Sequence, residues 1–164
     1  MNQSPISLND YHLLDISIKH EEGYVSVGSD TYPDITDTVF TSTTSIGIPD
    51  GEDDPKDFLL GLNLKIEPKK ADAYPYSVDI SVQGYVTVLS DLPGENFDRQ
   101  EFALINGSSL LYGALRDTLL MLTSRCVHGA IMLPTVNFLD LKNGSKNVSK
   151  NVSKKKVSVR KSKK

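Results

Sequence analysis

The chain has 164 residues, a formal net charge of −3, three histidines and one cysteine. A domain of this size can bury a core without disulfides or a structural metal. Cys126 has no partner for an intramolecular disulfide, and the sequence lacks the basic start and apolar stretch of a secretory signal. No window approaches the ~20 apolar residues of a membrane-spanning helix. We therefore expect a soluble, cytoplasmic protein.

The net charge conceals two opposite parts. Residues 1–141 carry all 21 acidic groups against 8 Lys and Arg, which gives −13, whereas residues 142–164, the basic tail, carry +10 and no acid. The tail lacks the apolar content to pack, so it is predicted to be disordered. It either neutralises phosphates of nucleic acid or is a solvated appendage that at times lies on its own acidic body. No aromatic residue is available in it to stack on bases, which favours the second interpretation.

The N-terminal half gives weak structural signals. Residues 1–10 are predicted to be a flexible N-terminus and residues 11–141 the folded domain. Short strands are expected on both sides of the Glu-Glu-Gly turn at 21–23. Residues 30–57 are rich in Asp, Thr, Ser, Pro and Gly, with scattered apolar residues, and are predicted to form a long crossing connection. Loops of this length are uncommon in compact domains and often functional.

The next segments alternate cleanly between apolar and polar residues. Alternation over 58–66 and again over 77–89 predicts two antiparallel strands with one apolar side. Gly84 falls on that apolar side, where it indicates a bulge or the close approach of another element. The rest of the small chain is consistent with a single antiparallel sheet.

A long apolar helix follows. Asn106-Gly107-Ser108-Ser109 predicts its start, since Asn and Ser side chains can accept bonds from the free N–H groups of a first turn. Gly129 and Pro134 stop it. Apolar residues cover most of its circumference, and such a helix packs on more than one surface. The second surface is predicted to be another copy of the chain, with candidate interface residues Leu111, Tyr112, Leu115, Arg116, Leu119 and Leu122. For Arg116 the alternative is that it reaches solvent at the edge.

Catalytic or metal chemistry has little support in the sequence. His12, His20 and His128 are scattered, and Cys126 with His128 supplies two ligands where a structural zinc site needs four. No Gly-rich phosphate loop or calcium loop occurs. The sequence thus predicts a protein that is not an enzyme, without catalytic residues, metal or cofactor.

Residues 102–138 resemble the SecB export-chaperone family, including the SecB-like chaperones of toxin–antitoxin systems. The matching segments are Asn-Gly-Ser-Ser-Leu-Leu-Tyr-Gly-Ala-Leu-Arg-Asp at 106–117, Leu-Thr-Ser-Arg at 122–125 and Leu-Pro-Thr-Val-Asn-Phe at 133–138. The strand at 78–88 before the helix also fits. The likeness covers about residues 11–140, and its specific part is the last third.

The resemblance implies an α+β fold in which a four-stranded antiparallel sheet is backed by the long helix and the chain assembles as a dimer of dimers. It also implies an ATP-independent holdase that binds non-native polypeptides in apolar grooves between the sheet and the crossing loop. The client-binding residues implied here are Tyr32, Val39, Phe40, Ile46, Ile131, Met132, Leu133 and Phe138. The alternative for these residues is ordinary core packing.

The features by which the family binds its partners are only partly present in this sequence. In the export chaperones an acidic sheet face and the C-terminal tail engage the SecA translocation ATPase, and Asp79 lies where the acidic sheet residue is expected. Here, however, Lys-Asn-Gly-Ser at 142–145 replaces the family's second helix, and the tail is basic. An export role and a toxin–antitoxin role therefore both stay open. The alternatives from other classes are a nucleic-acid-binding adaptor that acts through the tail and a structural oligomer without a client.

Overall fold

The computed structural model describes residues 4–25, 32–48, 55–89 and 98–141. Its elements are β1 (Ile6–His20), β2 (Thr38–Gly47), β3 (Asp57–Pro68), β4 (Tyr76–Val88) and α1 (Arg99–Thr123). The strands form one antiparallel sheet in the order β1-β4-β3-β2. The four-stranded sheet and the long helix that the SecB resemblance implies are both present, and the predicted α+β class is confirmed.

The sheet has one apolar and one polar face. In β3 and β4 the buried residues alternate with half-buried or exposed ones, as the sequence predicts. The buried set faces α1, and we call this the helix-side face; it consists of Phe58, Leu60, Leu62, Leu64, Ile66, Tyr76, Val78, Ile80, Val82, Gly84, Val86 and Val88. The opposite side, the outer face, carries the polar residues of the same strands. Helix and sheet therefore bury a single core between them.

Helix and sheet approach closely at two glycines. A Cβ atom built on Gly84 would lie 2.6 Å from Cδ2 of Leu111, and one built on Gly107 would overlap the side chain of Leu60. The close approach predicted at Gly84 is confirmed. Gly107 makes the matching approach from the helix.

The helix begins earlier than predicted. Its N-cap is Asp98, whose side chain accepts a hydrogen bond of 3.0 Å from the backbone N–H of Glu101. The predicted start at 106–109 is wrong. Within the helix, the side chains of Asn106 and Ser109 donate to the carbonyls of Phe102 and Ile105. The residue types that cap a helix can also bond back to the preceding turn, so composition alone did not distinguish the two.

The first strand also differs from the prediction. β1 begins at Ile6, inside the segment predicted to be flexible, and Ile6 is buried opposite Val88. The turn at 21–23 exists, with the N–H of Tyr24 donating to the carbonyl of Glu21, but no strand follows it in residues 24–25. β1 pairs instead with β4, a distant partner that local pattern cannot reveal.

The predicted crossing connection is partly wrong. Residues 38–47 form β2, which pairs with β3 at every position from Thr38 opposite Pro68 to Gly47 opposite Leu59. Phe40 and Ile46 point to the helix-side face, but Ser42 and Thr44 occupy the positions between them on that face. Because these inward positions are polar, β2 lacks the apolar–polar alternation that identifies a strand from its sequence. Thr-rich segments nevertheless favour strands.

The close packing at Gly107 gives a stability prediction. We expect Gly107→Ala to lower the free energy of unfolding by about 1–3 kcal/mol, because its methyl group would displace the fully buried Leu60. Gly113→Ala is the matched control, since a Cβ there meets nothing within 4 Å; helix propensity should then raise stability by up to about 1 kcal/mol. Urea unfolding of both variants tests this. Equal changes would contradict the packing argument.

Candidate functional site

Exposed apolar side chains occur on the two edge strands, on the outward side of the helix and in the connecting segments. Those on β1 are Tyr11, Leu13, Leu14 and Ile16, whereas the large apolar side chains exposed on β3 and β4 are limited to Tyr85. On β2 the exposed one is Val39, and Tyr32 and Ile48 precede and follow the strand in the sequence. A strand at the edge of a sheet also has one side without a partner strand, so the two edges are the candidate binding surfaces of the described residues.

On β1 three apolar residues line up on the helix-side face. Tyr11, Leu13 and Ile16 lie opposite the buried Gly84, Val82 and Ile80 of β4, and we call these three residues the β1 row. Each of them is still about 40% exposed. The helix therefore leaves an apolar strip uncovered along this edge.

β1 is also irregular and charged. The register with β4 shifts between Leu8 and Asp10 and again between Leu13 and Asp15, so Asn9 and Leu14 are extra residues. Bulges and charged side chains are the usual protection of an edge strand against further strand pairing. β1 is thus protected against pairing through its backbone, while its side chains remain available.

In contrast to β1, the strand β2 is regular and uncharged. Its ten residues contain no charged residue and no proline, and its register with β3 has no irregularity. Its other edge pairs with no strand among the described residues. Phe40 and Ile46 are half-buried on the helix-side face, and Val39 is half-exposed on the outer face. β2 therefore presents free backbone groups flanked by apolar side chains, and we call this surface the β2 edge.

Several implied client-binding residues belong to the core. Ile131, Leu133 and Phe138 are at most 4% exposed, so the interpretation of these three as groove walls is corrected to core packing. Their segment returns beside the helix. Core packing is the alternative that the sequence allows for these residues, and Pro134 favours an extended backbone that points Ile131 and Leu133 inward. Met132 is half-buried.

Hydrogen bonds hold this returning segment in place. The backbone N–H of Ile131 donates to Oγ1 of Thr123 (3.0 Å), and the hydroxyl of Tyr112 donates to the carbonyl of Pro134 (2.7 Å). The rings of Tyr112 and Phe138 meet edge to face with centroids 5.8 Å apart. The segment is therefore part of the folded body.

The predicted interface residues on the helix are also corrected. Leu111, Leu115 and Leu119 are fully buried in the protomer, and Tyr112 is 5% exposed, so these four cannot contact a second copy. They form the stripe that packs on the protomer's own sheet. Arg116 and Leu122 are half-buried at its sides. The outward side of the helix instead carries Leu110, Gly113, Asp117 and Met121.

Asp79 lies on the outer face within a polar network. Nδ2 of Asn63 donates to Oδ1 of Asp79 and to Oγ of Ser81, both at 2.9 Å. Lys65, opposite Asp79 in the register, pairs with Glu67 at 2.9 Å, and this bond raises the pKa of Lys65. Asp79 is half-buried and serves the sheet's own hydrogen bonding.

Histidines and the cysteine make structural contacts. The ring of His128 lies against those of His20, Tyr24 and Tyr76, and its backbone N–H donates to the Tyr76 hydroxyl (2.9 Å). Sγ of Cys126 lies 3.5 Å from the carbonyl of Leu122. Among the described residues, no group of three or more His, Cys, Asp or Glu could hold a metal ion.

In the ranges that the structure describes, no helix has the length and apolarity needed to cross a membrane.

No protein-family model and no curated protein matches the chain. Among solved structures, the Mycobacterium tuberculosis SecB-like chaperone in complex with a ChAD peptide from the HigA1 antitoxin is 16% identical, with a TM-score of 0.49, covering 81% of this chain and 88% of that chain. A protein of unknown function from Streptococcus agalactiae is 10% identical, with a TM-score of 0.45, covering 79% of this chain and 96% of that chain. At these identities the likeness concerns the arrangement of sheet and helix alone.

Tyr112, whose hydroxyl donates to the carbonyl of Pro134, gives a prediction about the pH dependence of stability. Burial raises the pKa of Tyr112 to about 12, against about 10 in an unfolded chain. As the pH rises, Tyr112 therefore loses its proton in the unfolded state first. The free energy of unfolding is unaffected below pH ~10 and falls by about 2–3 kcal/mol as the pH rises through the pKa of the folded state. We expect Tyr112→Phe to be less stable at pH ~8, by about 1 kcal/mol, but to lose less between pH ~8 and ~11.

Urea unfolding at the two pH values measures this difference. Tyr85→Phe is the control, because Tyr85 is half-exposed on the outer face. It should lose as much stability as the unmodified chain. If Tyr112→Phe showed that same loss, ionisation of Tyr112 would not be linked to unfolding.

Proposed function

We propose that this protein is a SecB-like chaperone, a cytoplasmic, non-catalytic holdase that binds extended segments of non-native polypeptides without ATP. The observation that carries the proposal is the β2 edge. It is a regular, uncharged strand of ten residues with one free side among the described residues, and exposed apolar side chains flank it.

Such an edge recognises the backbone of its ligand. An extended segment that lies beside β2 pairs its N–H and C=O groups with those of the strand, whatever its side chains are. Apolar side chains of the segment then cover Val39, Phe40 and Ile46. Non-native chains expose both features, whereas folded proteins bury them. The edge therefore selects unfolded over folded polypeptides with little dependence on sequence.

The affinity of one edge is modest. Covering a half-exposed side chain such as Tyr32 or Val39 contributes about 1 kcal/mol, half of what full burial gives. A long client that contacts several edges at once binds far more tightly, because each later contact is intramolecular. A holdase built on this principle benefits from carrying several copies of the edge.

We propose that the copies assemble through the β1 row. This replaces the buried helix residues that the sequence suggested. Apolar side chains about 40% exposed along one edge are available to a second copy, and β1's bulges leave this contact to side chains. A homotetramer is the assembly that the family resemblance implies, and it presents four β2 edges.

We propose clients of both kinds that the resemblance implies, an exported protein or an antitoxin, because backbone capture does not depend on a particular sequence. Asp79 does not contribute to the β2 edge, and its carboxylate accepts a hydrogen bond within the sheet. A SecA-type partner therefore gains no support from this residue. The nucleic-acid alternative depends on the basic tail, which lies outside the described residues.

The client surface is tested by removing its exposed apolar side chains. We expect Tyr32→Ser with Val39→Ser to require about thirtyfold more protein to suppress aggregation of an unfolded model substrate, equivalent to about 2 kcal/mol. Light scattering of the aggregating substrate is the measurement. Tyr85→Ser with Val25→Ser is the matched control, since it removes the same residue types, equally or more exposed, away from the β2 edge. Equal suppression by both double variants would refute the site.

The assembly surface is tested separately. We expect Leu13→Glu to lower the mass measured by light scattering after size exclusion, because a carboxylate without a partner in an apolar interface costs several kcal/mol. Leu139→Glu is the control, because Leu139 is exposed outside the β1 row. An unchanged mass for Leu13→Glu would exclude the β1 row from the interface.

A further inference from the structure

The outer face of the sheet concentrates negative charge. Its carboxylates outnumber its lysines by five to two: Asp10, Asp15, Asp57, Glu67 and Asp79 against Lys19 and Lys65. The helix and the segment after it are nearly balanced, with Asp98, Glu101, Asp117 and Asp140 against Arg99, Arg116 and Arg125. The outer face therefore has a surplus of three negative charges, compared with one for the helix and the segment after it.

This face is also unpartnered. The one described helix packs on the helix-side face, and no other described helix or strand lies on the outer face. Asp15, Lys65, Glu67 and Tyr85 are all exposed there. A flat polar sheet with surplus carboxylates is a surface for a cationic, extended ligand.

We propose that the basic tail, residues 142–164 of the same chain, docks across the outer face. The tail carries ten positive charges and no acid, so its charge complements that of the face. It follows Leu141, which packs against the core. At ~3.3 Å per residue its 23 residues reach about 75 Å, ample to pass around an edge of a body whose helix layer is about 10 Å thick.

The docked state is held by many weak contacts. An exposed Lys–carboxylate pair contributes at most about 1 kcal/mol, but a tethered tail has an effective concentration on the order of millimolar. The tail is therefore a reversible cover that salt weakens. It acts as a built-in competitor against any basic partner of the outer face, and it leaves the β2 edge free. This inference does not depend on the chaperone function.

Zero-length carbodiimide cross-linking of the full chain tests the proposal, with mixed ¹⁴N- and ¹⁵N-labelled chains to separate contacts within a chain from contacts between chains. At salt on the order of 10 mM we expect links within one chain from tail lysines to outer-face carboxylates. These links should disappear at about 1 M salt, where the screening length is about 3 Å.

Matched charge variants sharpen the result. In Asp15→Asn with Asp57→Asn and Glu67→Gln, links to the two remaining outer-face carboxylates, Asp10 and Asp79, should fall about tenfold because three exposed pairs are lost. The control, Glu22→Gln with Asp72→Asn and Asp117→Asn, removes the same charge elsewhere from exposed positions. It should leave the outer-face links unchanged.

Four results would overturn the proposal. Tail links shared equally with helix carboxylates would show non-specific attraction. Links only between differently labelled chains would assign the tail to another copy, and links between the outer faces of two chains would make a second copy the occupant. No tail links at low salt would exclude docking.

Discussion

The structure depends on the packing of one helix against the middle of a four-stranded sheet. Strands lie about 4.8 Å apart, so four strands are about 15–20 Å wide, whereas a helix with its side chains is about 10 Å wide. One helix can therefore cover only the central strands fully. Gly84 and Gly107 let the two backbones approach there, and the core side chains of β3 and β4 are buried as a result. The partial exposure of the β1 row, and of Phe40 and Ile46 on β2, follows from this mismatch in width.

The two edge strands differ in regularity, charge and exposed side chains. β1 has bulges and charged residues that discourage further strand pairing, and it keeps a row of side chains available. β2 keeps a regular backbone without charge and with few large apolar side chains. One edge therefore suits side-chain contact with a copy of the chain, and the other suits backbone contact with an extended ligand. The division follows from the local sequence of each strand.

Features that depend on neighbouring residues were predicted from the sequence better than features that depend on contacts between distant parts of the chain. The alternation in β3 and β4 is local and was correctly predicted, whereas β2 was missed because Ser42 and Thr44 occupy inward positions. The helix start was misplaced although Asp98 and Glu101 form a capping pair three residues apart, a signal that was available. Apolar residues around most of the helix predicted burial on more than one surface, but such a pattern does not say whether a covering surface belongs to the same chain; Leu111, Leu115 and Leu119 are buried within the protomer.

The outer face adds a constraint of a different kind. Its residues contribute little to the core, so their charges were free to vary without affecting the fold, and a surplus of carboxylates has a cost only in mutual repulsion. A cationic segment on the same chain relieves that repulsion at high effective concentration. The two proposed binding surfaces depend on different properties: charge at the outer face, and backbone hydrogen bonding with apolar side chains at the β2 edge. Salt weakens attraction at the outer face, while it leaves hydrophobic capture at β2 intact or strengthens it. If both proposals hold, salt separates the two surfaces, so that each is controlled independently of the other.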